Sequence, residues 1–222
     1  MKRILPIVAV VVLALAGGAY VLNSQQGPVA GMTNIEPVSS DGAHADTSGV
    51  VEMFVGAEDA EVEIIEYASF TCPHCATFHN NVFEPLKKEY VDTGRVKFIF
   101  RDVYFDRFGL WASMVARCGG PEKFFGIADI LMETQNEWTR AGDPTAIAAS
   151  LRKTGRLAGL DDDVLQACLQ DEDKAKALVG WFQKNAAADD ISATPTLIVD
   201  GEKHSNMSYD ALKAIIEEKL AD

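Results

Sequence analysis

The chain has 222 residues, 48% of them hydrophobic, and a formal net charge of −13. So acidic a protein is a poor candidate for binding nucleic acid or anionic lipid surfaces, and its charge is expected to serve solubility instead. Removing the first 22 residues, with Lys2 and Arg3, would take the charge to −15.

Residues 1–22 have the pattern of a targeting segment. Lys2 and Arg3 form a positive start, and the 19 residues from Ile4 to Leu22 are uncharged and mostly apolar. Ala14-Leu15-Ala16 fits a signal-peptide cleavage site, while the apolar length also approaches the ~20 residues that span a bilayer. Both a cleaved signal and a retained N-terminal anchor are open, and no cysteine precedes Cys72 to carry a lipid. Either way the rest of the chain is expected in a periplasm-like space where disulfides persist. Residues 23–49, rich in Ser, Gly, Pro, Thr and Asn, have too few large apolar side chains to offset ordering entropy and are expected to be a flexible tether. Residues 50–222 then suit one domain with an insertion.

Within that domain, Glu61 to Tyr67 predicts a strand entering a buried sheet. Phe78, Val82, Phe83, Leu86 and Tyr90 predict a helix after Cys72, with a kink or break at Pro85. Gly94 ends it, and Arg95 to Val103 predicts the second strand of a βαβ unit. From Asp106 to Ala188 the patterns are helical only: Asp106 caps a helix through Cys118, Phe124 to Thr134 follows, and Asp143-Pro144 opens one to about Lys153. A short helix carries Cys168, and a last one covers Asp173 to Ala187. This is more helix than one crossover needs, so residues at about 106–188 are expected to be a helical subdomain inserted into an α/β domain. Pro195 to Val199 resumes the sheet, Asp200-Gly201 turns it, and Glu202 to Ser205 returns antiparallel. Ser208 then caps a final helix bearing Leu212, Ile215, Ile216 and Leu220.

Chemistry concentrates at Cys72-Pro73-His74-Cys75, where the first strand meets its helix. Two cysteines three positions apart can close a small disulfide, and a helix N-terminus favours a thiolate on the first sulfur. The competing readings are a structural disulfide and half a metal site, since Cys75 and His79 lie four apart and His74 is adjacent. His74 can stabilise the Cys72 thiolate, or be a solvated turn residue. Glu66, in an otherwise apolar stretch, is costly unless it has a partner or a function, or faces water at a strand edge. Cys118 and Cys168, alone in the helical segment, are expected to pair in an oxidising space, the alternative being two free buried thiols. His44 in the tether and His204 on an exposed turn are not expected to be ligands. Trp111, Trp138 and Trp181 suit a core or its rim.

The run Glu66-Tyr67-Ala68-Ser69-Phe70-Thr71-Cys72-Pro73-His74-Cys75, with Ala193-Thr194-Pro195-Thr196 and the Asp200-Gly201 turn, resembles the DsbA family of bacterial periplasmic disulfide oxidoreductases. The resemblance spans nearly all of residues 50–222. It implies a thioredoxin fold with an inserted helical subdomain, Cys72 as the partly exposed attacking sulfur, Cys75 as the buried resolving one, and Pro73 and His74 completing the redox centre. It further implies that Glu66 is the acid serving Cys75. A cis bond before Pro195 is implied too, leaving the backbone of Thr194 to pair with an extended substrate; from the residues alone, a trans strand-opening proline is the simpler reading. A second cysteine pair departs from the simplest family pattern.

The expectation is therefore a monomeric periplasmic oxidase, free or tethered to the inner membrane, that introduces disulfides into exported proteins without metal or organic cofactor. Its partners would be reduced unfolded clients and, by resemblance, a quinone-linked membrane protein that reoxidises it. An isomerase or reductase would use the same dithiol; the polar residues 23–49 are too short for the dimerisation domain that isomerases of this superfamily carry. A copper or zinc carrier is the alternative from a different class.

Overall fold

The computed structural model describes residues 45–221. The targeting segment 1–22, most of the tether and His44 lie outside them. Among the described residues, no helix is long and apolar enough to cross a membrane.

A five-stranded sheet in the order β1-β3-β2-β4-β5 is the centre of the fold. Strand β2 (Val62–Ala68) lies between parallel β3 (Val96–Asp102) and antiparallel β4 (Thr196–Val199). Both its faces are covered, which is why its sequence is a nearly continuous apolar run rather than a strict alternation. Residues 73–91 form helix α1, the crossover from β2 to β3. At the far edge, Asp200 (φ 45°) and Gly201 (φ 82°) supply the two left-handed residues of a tight hairpin turn. That turn returns the chain as β5 (Glu202–Ser205), which holds His204 within the strand rather than on a turn. Sequence reading also passed over β1 (Met53–Val55), which pairs antiparallel with β3; three residues are too few to display a period.

Between β3 and β4 run six helices: α2 (Arg107–Cys118), α3 (Pro121–Glu133), the short α4 (Gln135–Trp138), α5 (Pro144–Leu157), α6 (Asp162–Leu169) and α7 (Glu172–Ala188). Their starts follow capping chemistry. Asp106 accepts from the N–H groups of Phe108 (2.8 Å) and Gly109 (3.0 Å), and Asp143 from Ala146 (2.9 Å) with Pro144 at the first helical position. Helix α8 (Tyr209–Lys219) closes the chain behind its cap, Ser208.

The interruption expected at Pro85 takes another form: the helix does not end. Its winding loosens to i→i+5 hydrogen bonds over His79–Phe83 and again over Lys87–Val91, on either side of a short α-helical turn at Glu84–Leu86. Wider winding accommodates a residue that lacks an N–H and would clash with the carbonyl four back.

One face of the sheet packs Ile65, Tyr67, Ile99, Val103 and Ile198 against Phe182 and Ile191. Elsewhere a chain of rings, Phe70 on Phe100, Phe83 on Phe98 and Phe125, and Phe124 on Phe100, joins the sheet, α1 and α3. Trp111 and Trp138 are buried in this core, and Trp181 is half-buried.

The structure joins Cys118 to Cys168 in a disulfide across 50 residues, fastening the end of α2 to α6. Closing a loop of that length is worth ~4 kcal/mol in the chain-entropy description. Replacing both cysteines with alanine is expected to lower stability to denaturant by up to that amount without removing dithiol exchange at Cys72–Cys75. A urea titration paired with a thiol-exchange assay checks both halves.

Candidate active site

The CxxC segment lies at the carboxyl end of β2. Cys72 occupies the N-cap of α1 in extended geometry (φ −84°, ψ 117°), Pro73 the first helical position, and His74 and Cys75 the next two. A proline is well suited there, because that N–H has no helical partner in any case. The Cys72 side chain thus stands where a capping oxygen ordinarily accepts from the first helical N–H groups. Cys72 is 9% exposed and Cys75 fully buried, and the two are free thiols.

The environment separates the two sulfurs. A hydrogen bond from Cys75 is the largest influence on Cys72; burial opposes it, and Thr194 and the backbone N–H groups of Cys75 and His74 add to it. The Cys72 thiol is thereby brought down to about 5. Cys75 is pushed far above the ordinary thiol range by donating that same hydrogen bond, then by burial, then by Glu66. Below the ordinary range Cys72 is therefore a thiolate at neutral pH while Cys75 keeps its proton. In the reduced protein, the stability this contributes is fully present above the unfolded thiol's pKa and is lost as pH falls through about 5.

Thr194 comes from the loop before β4 and is joined to Pro195 by a cis peptide bond. Its carbonyl oxygen lies 3.7 Å from Cys72 Sγ, and its hydroxyl is buried. His74 is exposed, and its backbone N–H, not its imidazole, is among the groups acting on Cys72.

Glu66 is 1% exposed in the middle of β2, opposite Phe100 and Leu197, with Oε1 lacking a partner. The water-facing strand-edge alternative is thereby removed. Burial first, and the Cys72 thiolate second, raise its carboxyl to about 8. Because the folded pKa exceeds the unfolded one, stability is greatest below about pH 4.5 and falls as pH rises to about 8, where the folded carboxyl also ionises. Glu66→Gln removes that loss. The variant is expected to gain on the wild type progressively across this interval, by a few kcal/mol at the top, with no further gain beyond it. Melting curves of both proteins with Cys72 and Cys75 reduced, from pH 4 to pH 9, measure the difference.

Sequence reading missed Gln135. This buried residue of α4 donates from Nε2 to the carbonyls of Phe70 (2.8 Å) and Cys72 (2.9 Å), gripping the loop that carries the first cysteine. Beside it, Thr71 Oγ1 donates to Asp106 Oδ2 (2.8 Å), so the cap of α2 also holds the loop. Gly109 allows the approach: a Cβ there would lie 3.3 Å from Thr71 Oγ1 and 3.4 Å from Ser69 Oγ. The inserted helices thus position the loop that enters the CxxC segment. Nothing local in the sequence announces a partner 63 residues away.

A family model described as Thioredoxin matches residues 48–218. The chain belongs to the thioredoxin family. Among solved structures, this family member is similar to α-DsbA1 of Wolbachia pipientis, with a TM-score of 0.69 and 25% identity over 81% of this chain and 95% of that one. It also shares its fold with oxidised BdbD of Bacillus subtilis, with a TM-score of 0.68 and 24% identity over 77% of this chain and 94% of that one. These likenesses identify the DsbA form of the thioredoxin fold, with helices inserted between β3 and β4. Among curated proteins, disulfide bond formation protein D of B. subtilis is 29% identical over 175 residues, covering 75% of this chain and 76% of its own. A provisionally named protein-disulfide oxidoreductase of Rickettsia bellii is 28% identical over 172 residues, and the match covers 77% of this chain but 65% of the relative's length.

Proposed function

We propose that this protein is a thiol-disulfide oxidoreductase of DsbA type that introduces disulfides into exported proteins. The observation that carries the reading is the division between the two sulfurs: Cys72 at the helix N-cap with its thiol lowered to about 5, beside a buried Cys75 that holds its proton. A stabilised Cys72 thiolate favours the reduced dithiol and so makes the Cys72–Cys75 disulfide a better oxidant. The exported location is supported by the leader-like residues 1–22 and by the Cys118–Cys168 bond.

In the proposed cycle a client thiolate attacks Cys72 of the oxidised protein. The Cys72–Cys75 bond breaks, and the leaving Cys75 sulfur takes a proton that the neutral Glu66 carboxyl supplies. A second client thiolate then attacks the client sulfur of the mixed disulfide. Cys72 departs as a thiolate and the client leaves with a new disulfide, its two electrons now on the dithiol. An extended client is proposed to lie along the backbone of Thr194, before Pro195. The backbone N–H of His74 adds to the poise of Cys72. A quinone-linked membrane protein is the proposed electron acceptor, and the oxidoreductase works as a monomer.

The test is catalysis on a protein with no other source of disulfides. Oxidised protein is incubated anaerobically with reduced, unfolded pancreatic ribonuclease, and free thiols are counted on both. The expected result is loss of two client thiols for each Cys72–Cys75 pair reduced. Client thiols that persist at the level of a protein-free control would overturn the assignment.

A further inference from the structure

His79 lies four residues after Cys75 on α1, but its imidazole meets a carboxylate rather than a sulfur. Nε2 is 3.0 Å from Oδ1 of Asp129, on α3. The histidine is 3% exposed, its ring tilted against Phe83 with centroids 4.9 Å apart. Despite their separation, neither Nε2 nor Asp129 Oδ1 has a hydrogen-bond partner of acceptable geometry, and both atoms are buried. Unpaired buried polar atoms of this kind are costly unless something else satisfies them.

A third group converges on the same point. Glu84 places a carboxylate oxygen so that it, His79 and Asp129 offer ligand atoms all within 4.8 Å of one another. The local winding is the reason. In an α-helix, residues five apart are turned about 140° from each other and cannot share a ligand. Over His79–Phe83 the backbone instead closes i→i+5 bonds, the Glu84 N–H donating to the His79 carbonyl, and residues five apart come to the same side. Such single-turn π segments recur at functional sites.

We propose that His79, Glu84 and Asp129 form a binding site for one Zn²⁺ ion. Imidazole nitrogen and carboxylate oxygen are both ligands of this cation, and three protein ligands leave the fourth tetrahedral position to water. Ca²⁺ and Mg²⁺ fit poorly, because they require six or more oxygen ligands or a largely hydrated shell, and a histidine nitrogen favours the softer metal. The exposed Glu84 can swing to close the site around the ion, while the buried His79 is fixed. Bound zinc would fasten α1, which carries Cys75 and is capped by Cys72, to α3 of the inserted helices. The site is separate from the Cys72–Cys75 dithiol.

Because reduced cysteines themselves bind zinc, the test uses tag-free protein with Cys72 and Cys75 oxidised. Zinc sulfate is titrated calorimetrically at neutral pH into the wild type and into Glu84→Gln and Asp129→Asn, whose side chains are at least partly accessible and leave the core intact. One ion per chain is expected, with affinity lowered about tenfold or more in each variant. Zinc is also expected to raise the melting temperature of the wild type but not of the double variant. Absence of binding, unchanged affinity in both variants, or preference for calcium chloride over zinc sulfate would each overturn the proposal.

Discussion

Replacing Cys75 with serine is expected to leave a protein whose Cys72 thiolate attacks a client disulfide once, releases one client thiolate and then stalls as a disulfide between Cys72 and the client. Replacing Cys72 instead is expected to abolish exchange to the uncatalysed rate. The asymmetry follows from placement: Cys72 is the sulfur that retains some exposure and carries the thiolate, whereas Cys75 is fully enclosed and protonated. A thiolate of lowered pKa is also the better leaving group, so release of the client depends on the Cys72 environment. Non-reducing electrophoresis of each variant with a client that carries a disulfide distinguishes them. Equal trapping by the two variants would refute the assigned order of the sulfurs.

The second large effect concerns the framework. Arg117 and Asp102 are both buried, and Arg117 donates to Asp102 Oδ2 from Nε (3.0 Å) and Nη2 (2.7 Å), and to the Val51 carbonyl from Nη1 (2.8 Å). The pair ties α2 to the end of β3, next to the chain entering β1. Removing one partner strands a charge in the core, so Arg117→Met is expected to cost 3–5 kcal/mol, a fall of roughly 10 °C in melting temperature for a domain of this size. Arg117→Met combined with Asp102→Leu is expected to lose less than the single change, because no charge is then left unpaired. Calorimetry of the two variants measures this. A double variant less stable than the single one would contradict the assigned role of the lone carboxylate.

What could be read from the sequence was local. Strand β2 was visible from its apolar residues Val62, Ile64, Ile65 and Tyr67, β3 from Val96, Phe98 and Phe100 on one face with Ile99 among them, and the helix starts because Asp106, Asp143 and Ser208 carry their own capping chemistry. The CxxC segment was conspicuous for the same reason: strand, turn and helix lie within a few residues. Partnerships that chain folding creates were not visible. Gln135 reaches back to Phe70 and Cys72, Arg117 finds Asp102, and His79 finds Asp129, each with no local pattern to mark it. Pro85 misled in one respect, since local rules give its cost but not the change of winding by which the helix absorbs it. Glu66 stood between: its apolar neighbours announced an unusual carboxylate, but only the packed sheet fixes its burial.

The thiolate at Cys72 is the centre of the account, and its consequence is a redox potential. Equilibrating the Cys72–Cys75 pair with defined ratios of reduced and oxidised glutathione, and counting protein thiols at each ratio, yields that potential directly. A value well above that of thioredoxin, about −270 mV, is expected of a dithiol stabilised in its reduced form. A value at or below thioredoxin's would mark the protein as a reductant and contradict its assignment as an oxidase.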